Sequence, residues 1–227
     1  TDVDDASRKA VAEVRQGRAQ VLMKGTVNTD NLLRAVLNKE CGLLEKGHVL
    51  THIAVAEIPG LQRLIFFTDA AVIPYPTTEQ FHAQLGYIAD TFRSVTGNDC
   101  PRVALTHCTE KVSEKFPLTL SYEELKKEAR EGAFGSIEVD GPMDVKTACD
   151  AESGAIKGIA SPVVGNADIL IFPDIEAGNT FYKAITLFAK ATVAGMLAGT
   201  TAPVVVTSRA DTVESKFYSL ATACMKA

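Results

Sequence analysis

The sequence has little of what metal, redox and nucleic-acid proteins need. Its four histidines, His48, His52, His82 and His107, stand at no ligand spacing, and it has no Cys-x-x-Cys pair, so no metal site is expected. The glycine pattern of a dinucleotide fingerprint is missing, so no redox cofactor is expected either. Basic residues are not in excess: 23 Lys and Arg against 28 Asp and Glu leave a net charge of −5, which argues against a nucleic-acid partner. The longest apolar stretch, residues 185–206, is broken by Lys190 and Pro203, so no membrane span is expected. The pattern of a secretory signal is not found, nor is an internal repeat or a low-complexity segment. Five cysteines (Cys41, Cys100, Cys108, Cys149 and Cys224) are an odd number, and reduced thiols in the cytoplasm are the expectation.

What is present is ordinary for a folded domain. The 227 residues are 46% hydrophobic and 22% charged, enough for one large core or two small ones. Helical and strand patterns alternate. Residues 4–16 read as a helix stopped by Gly17, residues 19–23 as a short strand, and Thr29 caps a helix reaching Lys39. Strands are predicted over 49–57, 64–72, 103–106 and 137–140. The clearest helix starts at Thr78 and carries Phe81, Leu85, Ile88, Phe92 and Val95 on one stripe. Ser121 and Glu124 read as a capping box for a charged helix ending at Arg130. Residues 169–172 and 204–207 are apolar strands of the fully buried kind, and an apolar helix is predicted from about 180 to 197. A last helix carries Val213, Phe217, Leu220, Ala221 and Cys224 at helical spacing. The alternation predicts an α/β fold, a mostly parallel sheet with helices on both faces.

The stretch 167–216 says most about chemistry. One buried strand ends in Pro173-Asp174, and a second ends in Ser208-Arg209 just before a helix. In open α/β sheets, sites form at the carboxyl ends of strands. Two polar strand ends so close in sequence point to one anion-binding, group-transfer site. Arg209 can grip a phosphate through two parallel hydrogen bonds, and the following helix start favours anions. His52 sits within an apolar strand and reads as a satisfied core histidine.

Several segments resemble the phosphate acyltransferases, the group that holds phosphate acetyltransferase and phosphate butyryltransferase. They are Val21-Leu-Met-Lys-Gly-Thr-Val-Asn-Thr29 through Arg34, Thr68-Asp-Ala-Ala-Val72, Val139-Asp-Gly-Pro142, Pro173-Asp-Ile-Glu-Ala-Gly-Asn179 and Ser208-Arg-Ala-Asp211, in family order along the chain. The first and last are more similar to the butyryl branch. The resemblance implies a fold of the isocitrate/isopropylmalate dehydrogenase kind, with two α/β domains around a cleft and two copies paired as a homodimer. The first domain would combine residues 1–44 and 198–227, and the second would be residues 45–197. An opening N-terminal segment of the family is expected to be missing.

The implied reaction is acyl-CoA plus inorganic phosphate giving acyl phosphate plus CoA, with no cofactor. By resemblance, Ser208 donates to the developing oxyanion or to the CoA sulfur, and Arg209 holds phosphate. Gly25, Asn28 and Thr29 would contact phosphate, and Arg34 would be a second substrate cation. Pro173, Asp174, Glu176, Asn179, Tyr182 and Lys183 read equally as site architecture or as CoA contacts, with Lys183 reaching a CoA phosphate. One position departs from the family. The acetyl branch carries an acid seven residues after the serine, where this chain has Ser215, which cannot act as a base near neutral pH. Asp211 and Glu214 read as an aspartate version of the capping box, leaving the base elsewhere or the thiolate to Arg209 alone. Two alternatives stand beside the butyryl reading: a phosphate acetyltransferase, and a non-catalytic acyl-CoA-sensing domain like the related tail of some malic enzymes.

Overall fold

The computed structural model describes residues 2–207 and 211–227. In chain order the elements are α1 (Val3–Arg15), β1 (Leu22–Met23), α2 (Thr29–Val36), β2 (Thr51–Glu57), β3 (Leu64–Thr68), α3 (Thr78–Thr96), β4 (Arg102–Thr106) and α4 (Leu118–Arg130). They continue with β5 (Glu138–Met143), α5 (Val145–Cys149), α6 (Ala151–Lys157), β6 (Ile169–Ile171), α7 (Ile175–Phe188), β7 (Thr192–Ala198), β8 (Val204–Val205) and α8 (Val213–Lys226). Among the described residues the strands form one eight-stranded sheet in the order β1-β8-β7-β2-β3-β6-β4-β5. The fold is mixed α/β. Two parallel runs, β1-β8 and β3-β6-β4-β5, flank β7 and β2, whose pairings with their neighbours and each other are antiparallel.

Strand alternation sorts the core into two faces. Ile53, Val55, Phe66, Val103, Leu105, Ile169 and Ile171 point to one side, where Phe81, Leu85, Ile88 and Phe92 of α3 and Tyr122 and Leu125 of α4 cover them. The stripe on α3 is therefore what anchors it, at roughly 1.5–3 kcal/mol for each side chain fully buried. Ala54, Ala56, Phe67, Leu170 and Val193 point to the other side, against Phe172 and against Phe181 and Ile185 of α7. Around β1 a further cluster joins Val11 and Val14 of α1 to Leu32 and Val36 of α2. No helix among the described residues is long and apolar enough to cross a membrane.

Several features of the structure depart from these predictions or go beyond them, each for a local reason. The helix expected over 180–197 stops at Phe188, Lys190 takes a left-handed φ of 55°, and β7 follows. Its Ala and Gly residues hid the strand alternation. This unforeseen strand lies near the middle of the sheet and makes it mixed rather than mostly parallel. Ser121 does not cap α4, which starts a turn earlier at Leu118 after Pro117. In α8, Val213, Phe217, Leu220 and Cys224 face outward, while the small residues Ser219, Thr222 and Ala223 are buried. Small side chains let this helix approach β7 closely enough for Ser219 Oγ to accept a hydrogen bond from the Gly195 N–H at 3.0 Å. Finally, the cap of α8 is Thr212, whose hydroxyl accepts from Ser215 N, so Asp211 and Glu214 form no capping box.

Candidate active site

The short strand β1 runs parallel to β8, with Leu22 beside Val204 and Met23 beside Val205. The Lys24 N–H continues the ladder by donating to Val205 O at 2.9 Å. The carboxyl ends of two neighbouring strands thus emerge side by side, the place where α/β sheets hold ligands. One end leads through Gly25 to Asn28 at the cap position of α2 and exposed Thr29 in its first turn. The other leads through Thr207 to Ser208 and Arg209, which lie outside the described residues, and then to Asp211. Thr29 does not cap its helix; Asn28 occupies that position, and its side chain makes no capping hydrogen bond. A β-carbon at Gly25 would stand in open space.

Lys24 was not foreseen as part of this region. It is buried, and its ammonium donates to Val27 O at 3.2 Å and Gly25 O at 3.4 Å, tying the loop that leads into α2. A lysine directly after an apolar strand was the available signal. Arg34 is not brought to the strand ends. It stands about 140° round α2 from Thr29, is 69% exposed, and pairs with Asp4 of α1 at 3.6 Å.

A second strand end is organised by Asp69, only 1% exposed. Its carboxylate accepts from Thr51 Oγ1 at 2.8 Å and from the backbone N–H groups of His52, Ala71, Val72 and Ile73 at 2.8–3.3 Å. One carboxylate thereby fixes the turn after β3 against β2. The start of α7 docks on that turn. Asp174 caps the helix by accepting from Ala177 N at 2.7 Å, and Asn179 donates to Ala70 O at 3.0 Å. Ile175 N donates to Pro74 O, and Glu176 accepts from the Tyr75 hydroxyl at 2.6 Å. Pro173 to Asn179 therefore serve in this structure as architecture. They aim the next turn of α7, where the Lys183 ammonium lies 4.3 Å from the centre of the Tyr182 ring.

Between these parts lies a small cavity of about 30 Å³, lined by His52, Tyr182, Gly195, Thr207, Asp211 and Ser219 among others. It sits where β8 parts from β7 after their single pairing of Leu197 with Val204. His52 does not behave as a satisfied core residue: its Nδ1 is sealed from solvent with no hydrogen-bond partner. Gly195 makes room for the ring, since a β-carbon there would fall 2.7 Å from Nε2. Burial pushes the imidazole well below its ordinary pKa; Asp69 and Asp211 pull it back, and Lys183 adds to the lowering. The Tyr182 phenol is pushed up, first by burial and then by Asp211. The chemistry of this cavity is that of a neutral imidazole and a carboxylate, beside a lysine.

Known proteins supply the frame for this geometry. The chain matches the family described as "Phosphate acetyl/butaryl transferase" over residues 1–224. It is 41% identical to the phosphate butyryltransferase of Clostridium beijerinckii, an alignment covering 100% of this chain and 74% of that protein. It is 39% identical to the phosphate acetyltransferase of Thermotoga maritima, covering 96% of this chain and 74% of that protein. The crystal structure of a branched-chain phosphotransacylase from Enterococcus faecalis V583 superposes with a TM-score of 0.89 at 34% identity, covering 100% of this chain and 80% of that one. A match this long, at these identities and on this fold, means that the chain belongs to the phosphate acetyl/butyryl transferase family.

Proposed function

We propose that this chain catalyses the reversible transfer of a short acyl group between CoA and inorganic phosphate, with a butyryl-like group preferred. The observation that supports the reading is the β1–β8 pairing, which sets the carboxyl end of the strand before Lys24 beside that of the strand before Thr207. In this reading the Thr29 hydroxyl and the open N–H groups at the start of α2 hold phosphate oxygens, with Asn28 beside them. Arg209 grips the same anion through paired hydrogen bonds, and Ser208 donates to the carbonyl oxygen as charge develops on it. Arg34, turned about 140° round α2 from Thr29 and paired with Asp4, is given no role at this anion. Lys183, beside the Tyr182 ring on α7, suits a phosphate of CoA. The acyl carbon exchanges a C–S bond for a C–O bond, so no cofactor is required.

The preference for a butyryl-like group rests on the Val21–Thr29 and Ser208–Asp211 stretches, because whole-chain identity barely separates a butyryl relative from an acetyl one. A methylene in an apolar pocket changes preference by about 10- to 200-fold. We infer a homodimer, supported by the apolar outward face of α8, where Val213 is 84% and Phe217 64% exposed. Five unpaired cysteines support a reducing compartment such as the cytoplasm. Of a dehydrogenase-like division into 1–44 with 198–227 and 45–197, the single pairing of β8 with β7 is the supporting feature, whereas α8 packs on β7 across that division.

The test is thiol release from acetyl-, propionyl- and butyryl-CoA in the presence of phosphate. Release with at least one, fastest with butyryl-CoA, is expected. Measurable CoA binding without release from any of the three would establish the acyl-CoA-sensing alternative instead.

A further inference from the structure

Lys24 is a buried cation that lacks a counter-charge. Along β1 and the residue after it burial alternates: Leu22 is buried, Met23 is exposed, and Lys24 is only 6% exposed. A methionine outside and a lysine inside reverse the order that apolar burial favours. Nor does the lysine reach out to water, as a stem of its length can. Its ammonium donates to Val27 O at 3.2 Å and Gly25 O at 3.4 Å, at and beyond the long end of the hydrogen-bond range. Among the described residues it forms no ion pair. Taking a cation out of water costs several kcal/mol, and two long contacts to carbonyls offset only part of that. One of the three ammonium donors is left over.

This charge stands next to the start of α2. Val27, whose carbonyl the ammonium touches, precedes Asn28 at the cap position, and Thr29 opens the first turn. Backbone N–H groups at such a start suit an anion, but they offer only partial charge. A phosphate near neutral pH carries more than one negative charge. Arg209, in its proposed role, supplies one full positive charge, and Arg34 is turned away and paired with Asp4. Asp30, the acid of that first turn, adds a negative charge to the neighbourhood. It is exposed and screened by water, whereas the buried ammonium is screened far less. A second full positive charge is what the anion lacks, and Lys24 is a cation that no carboxylate holds.

We propose that Lys24 is the buried counter-charge of the phosphate subsite, its ammonium completed by the anion held at the start of α2. The inference rests on the acyl-transfer reading for where phosphate binds. The free protein bears the cost of the buried ammonium, and the arriving phosphate or acyl phosphate relieves it. Attraction between charges in such low-dielectric surroundings is several times that in water. Because the attraction grows with the charge on the anion, Lys24 favours doubly over singly charged phosphate. The tie to Gly25 O and Val27 O and the charge are separate contributions, and a side chain that keeps a donor but loses the charge tells them apart.

Inorganic phosphate is titrated by calorimetry into the full chain as wild type, Lys24→Gln and Lys24→Met. Gln keeps a donor for the loop carbonyls and loses the charge, and Met loses both. The phosphate Kd is expected to rise roughly tenfold in each variant, as for the loss of one hydrogen bond to a charged group. A Lys24→Gln that binds phosphate like the wild type would leave the lysine a loop tie and overturn the proposal, as would a wild type that binds no phosphate. From about pH 6 to about pH 8 phosphate gives up its second proton. Wild-type affinity is expected to climb over that range more steeply than that of Lys24→Gln, and parallel climbs would overturn the counter-charge. Stability without phosphate gives a reading independent of binding. The urea midpoint of Lys24→Met is expected at or above that of the wild type, since an uncompensated buried charge is gone; a lower midpoint would show the ammonium well satisfied and overturn the proposal. A wild type that shows these differences in phosphate binding but releases no thiol from any acyl-CoA would sink the transferase reading and leave the counter-charge standing.

Discussion

The α-carbon of Gly178 packs against the backbone of Asp69, so closely that a β-carbon there would fall 2.1 Å from the Asp69 carbonyl oxygen. This contact docks α7 on the turn after β3 and so sets where Tyr182 and Lys183 stand. Because the obstacle is backbone, it cannot swing aside. Gly178→Ala is expected to destabilise the chain by about 1–3 kcal/mol. In a chain of this size that is about 2–4 °C of Tm for each kcal/mol, read by thermal denaturation. An unchanged Tm would show that α7 is not held by this contact.

Asp69 itself supports the next prediction. Five hydrogen bonds converge on a carboxylate that is almost wholly buried. Asp69→Asn replaces one acceptor oxygen with a donor amide that meets donors. A loss of at least about 2 kcal/mol in urea unfolding is expected. Activity should fall with it, since the turn and the backbone N–H of His52 lose their shared anchor. A variant as stable as wild type would mean that the network can rearrange at little cost.

Lys24 tests how far the loop before α2 must be held. Its ammonium ties two carbonyls of that loop, Gly25 O and Val27 O. Lys24→Met keeps the stem and removes the tie. The phosphate KM is expected to rise roughly tenfold, about one hydrogen bond to a charged group, with CoA KM changing less. A rise confined to CoA would place Lys24 on the other substrate.

Legibility in the sequence followed the strength of each local signal. The stripe Phe81, Leu85, Ile88 and Phe92 repeats at helical spacing over several turns, and α3 formed where it predicts. The buried strands 169–172 and 204–207 were legible as apolar runs, though each is shorter in the structure. By contrast β7, Val-Ala-Gly-Met-Leu, has two small residues in succession, Ala194 and Gly195, which blur the alternation of a strand, and only its pairing with β2 decides. The caps at Ser121 and Asp211 were misread because a neighbouring residue, Pro117 or Thr212, started the helix instead. Gly25, Asn28, Thr29 and Thr207 could be connected only by family order, since 178 positions of sequence separate the last two. The cavity beside His52 was unreadable in the sequence, for it is made by Gly195, Tyr182 and Asp211 from distant segments.

The imidazole of His52 also makes a pH prediction for stability. Its pKa in the fold lies below the ordinary 6.5, chiefly through burial, whereas the unfolded chain recovers the ordinary value. Below about pH 6.5 the unfolded state therefore binds a proton that the folded state resists. The stabilisation is present above that pH and is lost as pH falls through it. His107, also pushed down by burial, acts with the same sign. The diagnostic quantity is thus a difference: between pH 7.5 and 5.5 the urea midpoint of wild type should fall further than that of His52→Gln. Equal falls would mean that His52 accepts a proton in the fold as readily as in water.

The outward face of α8 carries the last prediction. Val213, Phe217, Leu220 and Met225 stand exposed, while the small residues of the same helix pack on β7. A helix that buries Ser219, Thr222 and Ala223 and shows phenylalanine to solvent is patterned for a second surface, and apolar exposure of this kind marks association sites. If two copies meet there, Phe217→Asp places a charge in the interface and should shift the mass measured by light scattering toward that of one chain. Phe217 is 64% exposed, so the isolated chain should keep its fold by circular dichroism. A wild type already of single-chain mass, or a variant of unchanged double mass, would locate the contact elsewhere or remove it.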